Sequence, residues 1–274
     1  MLEIERKMLE IRKSQDDLGV ATESMNRLPI FEPTTRPNYK IRSFDSKYGK
    51  ITVDGRLGQV HKSLLETILY KRKFYDLRVE ENKVRLTVLF NEYEVKKYMS
   101  QGSVYNKETY NRLLDDMSKA QIRLQKGIEY VEGSLITSKL KSKLYSRLTK
   151  SNLPDLRGKE IPYIVMEFGD VASLLLATEL RFTYDPKPIM ELKYGISQAL
   201  VRFLKTHKNH PVAGYHLKAL LENLIENVKG DVWKNIRRFL KKDAEQLEKL
   251  GIVIDFKKDR LFVIQDTLKL KNLF

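Results

Sequence analysis

The chain has 274 residues, 42% of them hydrophobic, with a formal net charge of +15. That length suits one large or two ordinary domains with real cores, and the surplus of cations points to a polyanion, nucleic acid before an anionic membrane surface. There is no cysteine, so disulfides and cysteine-ligated zinc or iron–sulfur sites are excluded, in keeping with a reducing, cytoplasmic setting.

The start, Met-Leu-Glu-Ile-Glu-Arg-Lys, is acidic from its third residue and does not read as a signal peptide. Residues 1–28 read as a short charged helix with a thin stripe of Ile4, Met8 and Ile11, too narrow to hold an isolated helix, which leaves a disordered arm or a docking helix. Pro29, Pro33 and Pro37 suggest an extended linker, so residues 1–40 are expected to be a flexible arm and linker. Residues 39–57 alternate and carry Asp54-Gly55, which predicts a hairpin. A helix is expected over Gln59–Phe74 on the stripe Val60, Leu64, Leu65, Ile68 and Leu69. A strand over Asn82–Phe90 and a short helix over Glu92–Met99 follow. A longer helix over Asn106–Leu124 comes next, with Asn106 as its cap. Strands are expected through Ile128–Lys139 and Ile161–Phe168, and a short helix over Asp170–Thr178. The longest apolar run, Val171–Ala177, is too short to span a bilayer.

Asp185-Pro-Lys-Pro188 punctuates the chain and marks the expected boundary between a first domain (41–185) and a second (186–274). In the second, helices are expected over Ile189–His207, Tyr215–Val228 and Asp231–Leu250. The last turns Ile236, Leu240, Leu247 and Leu250 to one face and Lys234, Arg237, Arg238, Lys241 and Lys242 mostly to the other, between Asp231 as N-cap and Gly251 as stop. Two apolar runs around Lys257-Lys-Asp-Arg260 then read as a hairpin. A basic helix followed by a basic-tipped hairpin is the layout of a winged helix, whose helix enters the major groove while the hairpin reaches the backbone. The pattern occurs around 59–145 and again in 189–265. The expected fold is therefore α+β, mainly helical: tandem winged-helix domains, each of three helices plus a β-hairpin wing. The competing reading of the basic stretch is an ordinary solvated helix face.

Several segments, in this order, resemble the iteron-binding plasmid replication initiators, which are built from two winged helices. Tyr163-Ile-Val-Met-Glu-Phe168 resembles the strand that closes their first domain. Leu180-Arg-Phe-Thr-Tyr184 and the helix Ile189-Met-Glu-Leu-Lys-Tyr-Gly-Ile-Ser-Gln-Ala-Leu-Val-Arg-Phe-Leu204 resemble their junction, and Trp233-Lys-Asn-Ile-Arg-Arg-Phe-Leu240 their recognition helix. Gly58-Gln-Val-His-Lys-Ser-Leu-Leu65 resembles the broad-host-range branch. The resemblance spans residues 55–265 and departs at Phe203, where many relatives carry Tyr. It implies an initiator whose monomers bind direct origin repeats, begin melting and recruit a host initiator and replicative helicase. It also implies that the first domain contacts the other end of the repeat and makes the interface of homodimers, which repress their own promoter. The alternative is a winged-helix transcriptional regulator on a duplex operator.

On this reading the partner is double-stranded DNA, with no membrane. Lys234, Arg237 and Arg238 are candidates for base edges, since Arg can donate twice to guanine, and Asn235 suits adenine. Lys241, Lys242, Lys257, Lys258 and Arg260 suit phosphates, as do Lys139, Lys141 and Lys143 in the first domain's basic stretch. In the first domain's helix, Lys107 and Arg112 precede Asp115 and Asp116, which is poor for groove insertion.

No metal, cofactor or catalysis is expected. His207 and His210 are followed at once by Pro211, with no acidic pair to complete a site. Lys208-Asn209 between them does not fit the histidine pair of a rolling-circle nuclease. Asp115 and Asp116 are adjacent and point about 100° apart on a helix. No glycine-rich phosphate loop occurs.

Overall fold

The computed structural model describes residues 18–46, 49–80, 83–100, 105–142, 163–177, 181–225 and 228–264. A short strand β1 (Ala21–Thr22) leads into helix α1 (Glu23–Arg27), which is capped by the Thr22 hydroxyl accepting from the Met25 N–H. Leu18, Val20, Met25, Ile30 and Phe31 are all buried. The flexible arm and linker expected over 1–40 are therefore corrected for residues 18–37; residues 1–17 lie outside the described residues. The prolines do turn the chain, but apolar side chains between them anchor it. The Gln59 amide donates to the carbonyls of Phe31 and Glu32, and the Gln59 N–H donates to the Thr34 carbonyl at 2.8 Å.

The hairpin expected over 39–57 forms as β2 (Lys40–Ser46) and β3 (Gly49–Gly55), with Ser46 opposite Gly49. It turns between those two residues, so Asp54-Gly55 ends the second strand instead of making the bend. Helix α2 (Gln59–Tyr70) buries Leu64, Leu65, Ile68 and Leu69. It stops four residues short of the expected Phe74, because β4 (Arg72–Glu80) begins there and pairs with β5 (Lys83–Asn91). Asn91 caps α3 (Glu92–Met99), accepting from the N–H groups of Tyr93 and Glu94. Asn106 caps α4 (Lys107–Lys119) in the same way through Glu108 and Thr109. The chain turns at Ala120, and Ile122 of the expected longer helix is instead a buried residue of β6 (Gln121–Lys126). Strands β7 (Glu129–Ser134), β8 (Ile136–Ser142) and β9 (Tyr163–Phe168) and helix α5 (Asp170–Ala177) complete this half.

Its strands form two antiparallel sheets, ordered β2-β3-β6-β7 and β4-β5-β9-β8. Among the described residues there are four antiparallel sheets, so the expectation of a mainly helical chain is overturned. Alternating runs explain why. Leu77 and Val79 on β4, and Val84, Leu86 and Val88 on β5, put every second side chain on the covered face. A period of two can bury that face only as a sheet.

The second half begins with β10 (Arg181–Phe182), which pairs with β1. The single helix expected over 189–207 is two: α6 (Lys187–Met190) and α7 (Gly195–Leu204). Tyr194 between them is extended, and the buried Asp243 carboxylate accepts from the N–H groups of Lys193 and Tyr194 at 3.1 and 3.0 Å. The expected inward residues Ile189, Leu192, Ile196, Leu200, Phe203 and Leu204 are all buried. After β11 (Tyr215–His216) and α8 (Leu217–Glu222), the helix expected over 231–250 is also two, α9 (Gly230–Lys242) and α10 (Ala244–Lys249). The break falls at Asp243, whose side chain is turned to the α6–α7 junction. Strands β12 (Ile252–Asp255) and β13 (Arg260–Val263) make the expected hairpin, and β11 joins it in the order β11-β13-β12.

Two large apolar clusters fill the halves, one centred on α2, α4 and the first-half sheets, the other on α7, α9 and the three-stranded sheet. The seam between them is polar. Arg202 of α7 has no exposed surface, and its guanidinium donates to both oxygens of Glu66 on α2, to the Gln59 amide oxygen at 2.9 Å and to the Ser63 hydroxyl at 3.0 Å. The Tyr184 hydroxyl adds a donor to Glu66 at 2.7 Å. Lys62, one turn before Glu66, donates to the Met25 carbonyl at 2.5 Å. Burial brings its ammonium down to about 7 from its ordinary 10.5, with Glu66 opposing that shift.

Candidate nucleic-acid interface

Helix α9 is held by one face. Ile236 and Leu240 are buried, Trp233 and Phe239 pack partly against the same cluster, and the Phe239 ring stacks on Tyr194 at 4.5 Å. The helix begins at Gly230, so Asp231 lies in its first turn instead of serving as N-cap. There its carboxylate suits the positive end of the helix dipole and pairs with Lys234 at 3.2 Å.

The polar face divides into an outer row and a flank. Lys234, Arg238, Lys241 and Lys242 are exposed and, with Trp233 and Arg237, line a shallow groove along the helix. Asn235 is exposed on the far side of the row. Arg238 lies against the Phe239 ring at 5.3 Å, and the Lys241 ammonium stands 5.4 Å from the Phe256 ring at the hairpin turn. Such contacts cover the stems of these side chains while leaving the charge in water.

Arg237 differs from the rest. It is partly buried on the flank that faces the hairpin, with its guanidinium 5.5 Å from the Trp233 ring. It donates to the Phe256 carbonyl and lies 3.8 Å from the Asp259 carboxylate. Arg260 is likewise turned inward, donating to the Gly214 carbonyl at 3.4 Å.

The hairpin turn is built by its acidic residues. The Asp255 carboxylate accepts from the N–H groups of Lys258 and Lys257 at 3.1 and 2.9 Å, which holds it below the usual carboxylate range against the opposing effect of burial. Asp259 adopts φ +56°, a left-handed conformation that Asp tolerates, and its carbonyl accepts from the Leu217 N–H. Lys257 and Lys258 are left exposed at the tip.

Of the twelve residues predicted from sequence, the structure gathers nine around α9 and its hairpin: Lys234, Asn235, Arg237, Arg238, Lys241, Lys242, Lys257, Lys258 and Arg260. Lys139 is exposed on β8 opposite Met166, on a different sheet, and Lys141 is on the same strand opposite Ile164. Lys143 lies outside the described residues. Sequence reasoning passed over Trp233 as the partner of Arg237; the signal was there, an aromatic four residues before an arginine on one helix.

The histidines serve local structure. His61 Nδ1 accepts from the Gly58 N–H, which leaves Nε2 to donate to Asp116 at 3.2 Å, and burial pulls the imidazole below its ordinary pKa against the pull of that carboxylate. His210 Nδ1 is 2.9 Å from the Tyr215 hydroxyl. Among the described residues, no group of three or more His, Asp or Glu is arranged to hold a metal ion. Among the same residues, no helix is long and apolar enough to cross a membrane.

No protein-family model matches the chain, and no curated protein matches it. Among solved structures, the selenomethionine form of domains 2 and 3 of RctB aligns over 85% of this chain and 89% of that one, at 11% identity with a TM-score of 0.51. The fold resembles that of RctB domains 2 and 3. A second structure of RctB, covering the same two domains, aligns over 84% of this chain and 87% of that one, at 11% identity with a TM-score of 0.48. The likeness to RctB spans most of the chain and is one of fold alone.

Proposed function

We propose that this chain is a DNA replication initiator of the plasmid type, without catalytic activity of its own. Its second half, taken as a winged helix over residues 186–274, binds repeated origin sequences. Its first, over 41–185, adds backbone contact and a dimer surface. Binding promotes origin opening and recruits a host initiator and a replicative helicase, while the dimer represses the chain's own promoter. The observation that carries this reading is the outer row of α9, Lys234, Arg238, Lys241 and Lys242, set beside a hairpin tip that exposes Lys257 and Lys258. A basic helix face beside a basic hairpin turn can occupy a major groove and its flanking phosphates together. The ordered resemblance of residues 55–265 to plasmid initiators supports the same reading.

The test is binding of the full chain to the DNA flanking its own gene, against a scrambled duplex, across a salt series. The expected result is a strong preference, a ladder of complexes on repeated sites, and a log–log salt slope near about −5 or steeper for six or more phosphate contacts. A single specific complex would move the reading to a transcriptional regulator. Equal weak binding to both duplexes would overturn it.

A further inference from the structure

The two adjacent arginines of α9 are in different situations. Arg238 is exposed on the outer row, whereas Arg237 is tied to the hairpin by its hydrogen bond to the Phe256 carbonyl and its approach to Asp259. The Asp259 Oδ1 atom is occluded from solvent and accepts no hydrogen bond. A carboxylate oxygen in that position needs a nearby cation, and Arg237 supplies one at 3.8 Å. The Trp233 ring stands 5.5 Å from the same guanidinium and limits its freedom on the helix side. Pulling Arg237 out to a base edge would therefore break its bond to Phe256 and leave Asp259 without its countercharge.

We infer that Arg237 is a positioning residue: it clasps the hairpin turn to α9 and so sets where Lys257 and Lys258 meet the DNA backbone, leaving Arg238 as the arginine that reaches base edges. This rests on the DNA-binding reading proposed above. The clasp joins the Phe256–Asp259 turn to the middle of the helix, beside the apolar core that the two elements share. Lys241, 5.4 Å from the Phe256 ring, lies over the same turn. The angle between helix and hairpin tip is thereby fixed before any ligand arrives, which avoids ordering the turn on binding.

The experiment uses the full chain and a duplex selected from a random library. In Arg237→Ala the salt slope is expected to fall by about 2, matching the two lysines released from the phosphates, with the preferred sequence unchanged. Replacing Lys257 and Lys258 by Ala in that background is expected to cost little more, because the tip no longer reaches the backbone. Asp259→Ala is expected to reproduce the Arg237→Ala slope. Arg238→Ala is expected to lose preference at one base pair while keeping the slope within about 1 of the wild type. A relaxed preference at one base pair in Arg237→Ala, or full additivity with the lysine changes, would overturn the clasp. Amide hydrogen exchange of residues 256–259 gives a second readout that needs no DNA. Faster exchange in Arg237→Ala, with the α9 amides unchanged, is expected; unchanged exchange at the turn would overturn the inference. Should the wild type select no sequence at all, the DNA reading falls while the exchange result still decides the clasp.

Discussion

Arg202 and Arg238 are one side-chain chemistry in opposite surroundings. Arg202 is sealed between α2 and α7 with Glu66, Gln59 and Ser63 around its guanidinium, while Arg238 stands in water on α9 against a single ring. The buried arginine specifies how the two halves meet, because its fork accepts only one arrangement of partners and an unpaired charge there is severely penalised. The exposed one contributes little to folding and is free for a ligand. Charge alone does not tell which role a residue plays; what decides it is the number of fixed partners already in place.

The largest effect that would test this contrast is at the seam. Arg202→Ala leaves the Glu66 carboxylate buried without a cation and is expected to lower the unfolding free energy by about 3–5 kcal/mol in a urea titration. A loss under about 1 kcal/mol would break the comparison. Arg202→Met combined with Glu66→Leu is expected to recover most of the loss, since it removes both charges together. On α9 itself the inner face sets the scale, and Leu240→Ala is expected to cost about 3 kcal/mol, read from the same titration.

Lys62 sharpens the contrast through pH. Its folded pKa of about 7 lies below the ordinary 10.5, so the unfolded chain binds the extra proton between those values and wild-type stability rises with pH across that window. Lys62→Met is expected to raise the unfolding free energy by about 1–2 kcal/mol at pH 6, with the gain shrinking as pH climbs toward 10. Thermal midpoints at the two pH values check it, and a gain that grew with pH would refute the assignment. The smallest effect belongs to the exposed arginine. Arg238→Ala is expected to change stability by less than about 0.5 kcal/mol while costing about 1–3 kcal/mol of base discrimination.

Much of the second half was legible in the sequence. Its hairpin, the buried stripe from Ile189 to Leu204 and the basic face of α9 all follow from period and punctuation. The two helix breaks were not, because both depend on Asp243 reaching back to Lys193 and Tyr194, a contact across 50 residues in one case and 49 in the other. In the first half, the cap at Asn106 marked a helix start well, whereas the equivalent cap at Asn91 was not singled out. The helix ends were harder to place. Phe74 extends the apolar run of α2, although Leu77 and Val79 just beyond it already show the strand period. Residues 18–37 were misjudged because prolines and charges suggest a tether, while the burial of Ile30 and Phe31 depends on a crevice supplied by distant residues. Glu66 and Arg202 each interrupt an apolar run, which signals that a partner is needed, but local pattern cannot name it.

The peptide at Thr34 has a consequence for how this molecule is taken apart. A methyl group on Gly58 would meet the Thr34 carbonyl at 2.6 Å, and one on Gly195 would meet the Thr34 backbone at 2.5 Å, so this short stretch runs close against the starts of both α2 and α7. A fragment beginning at residue 186 would carry Gly195 without the peptide that covers it and Arg202 without Glu66. A fragment ending at 185 would carry the reverse defect. Truncations of either kind would report the injury of the cut surface, and point substitutions within the whole chain are the sounder way to divide its labour.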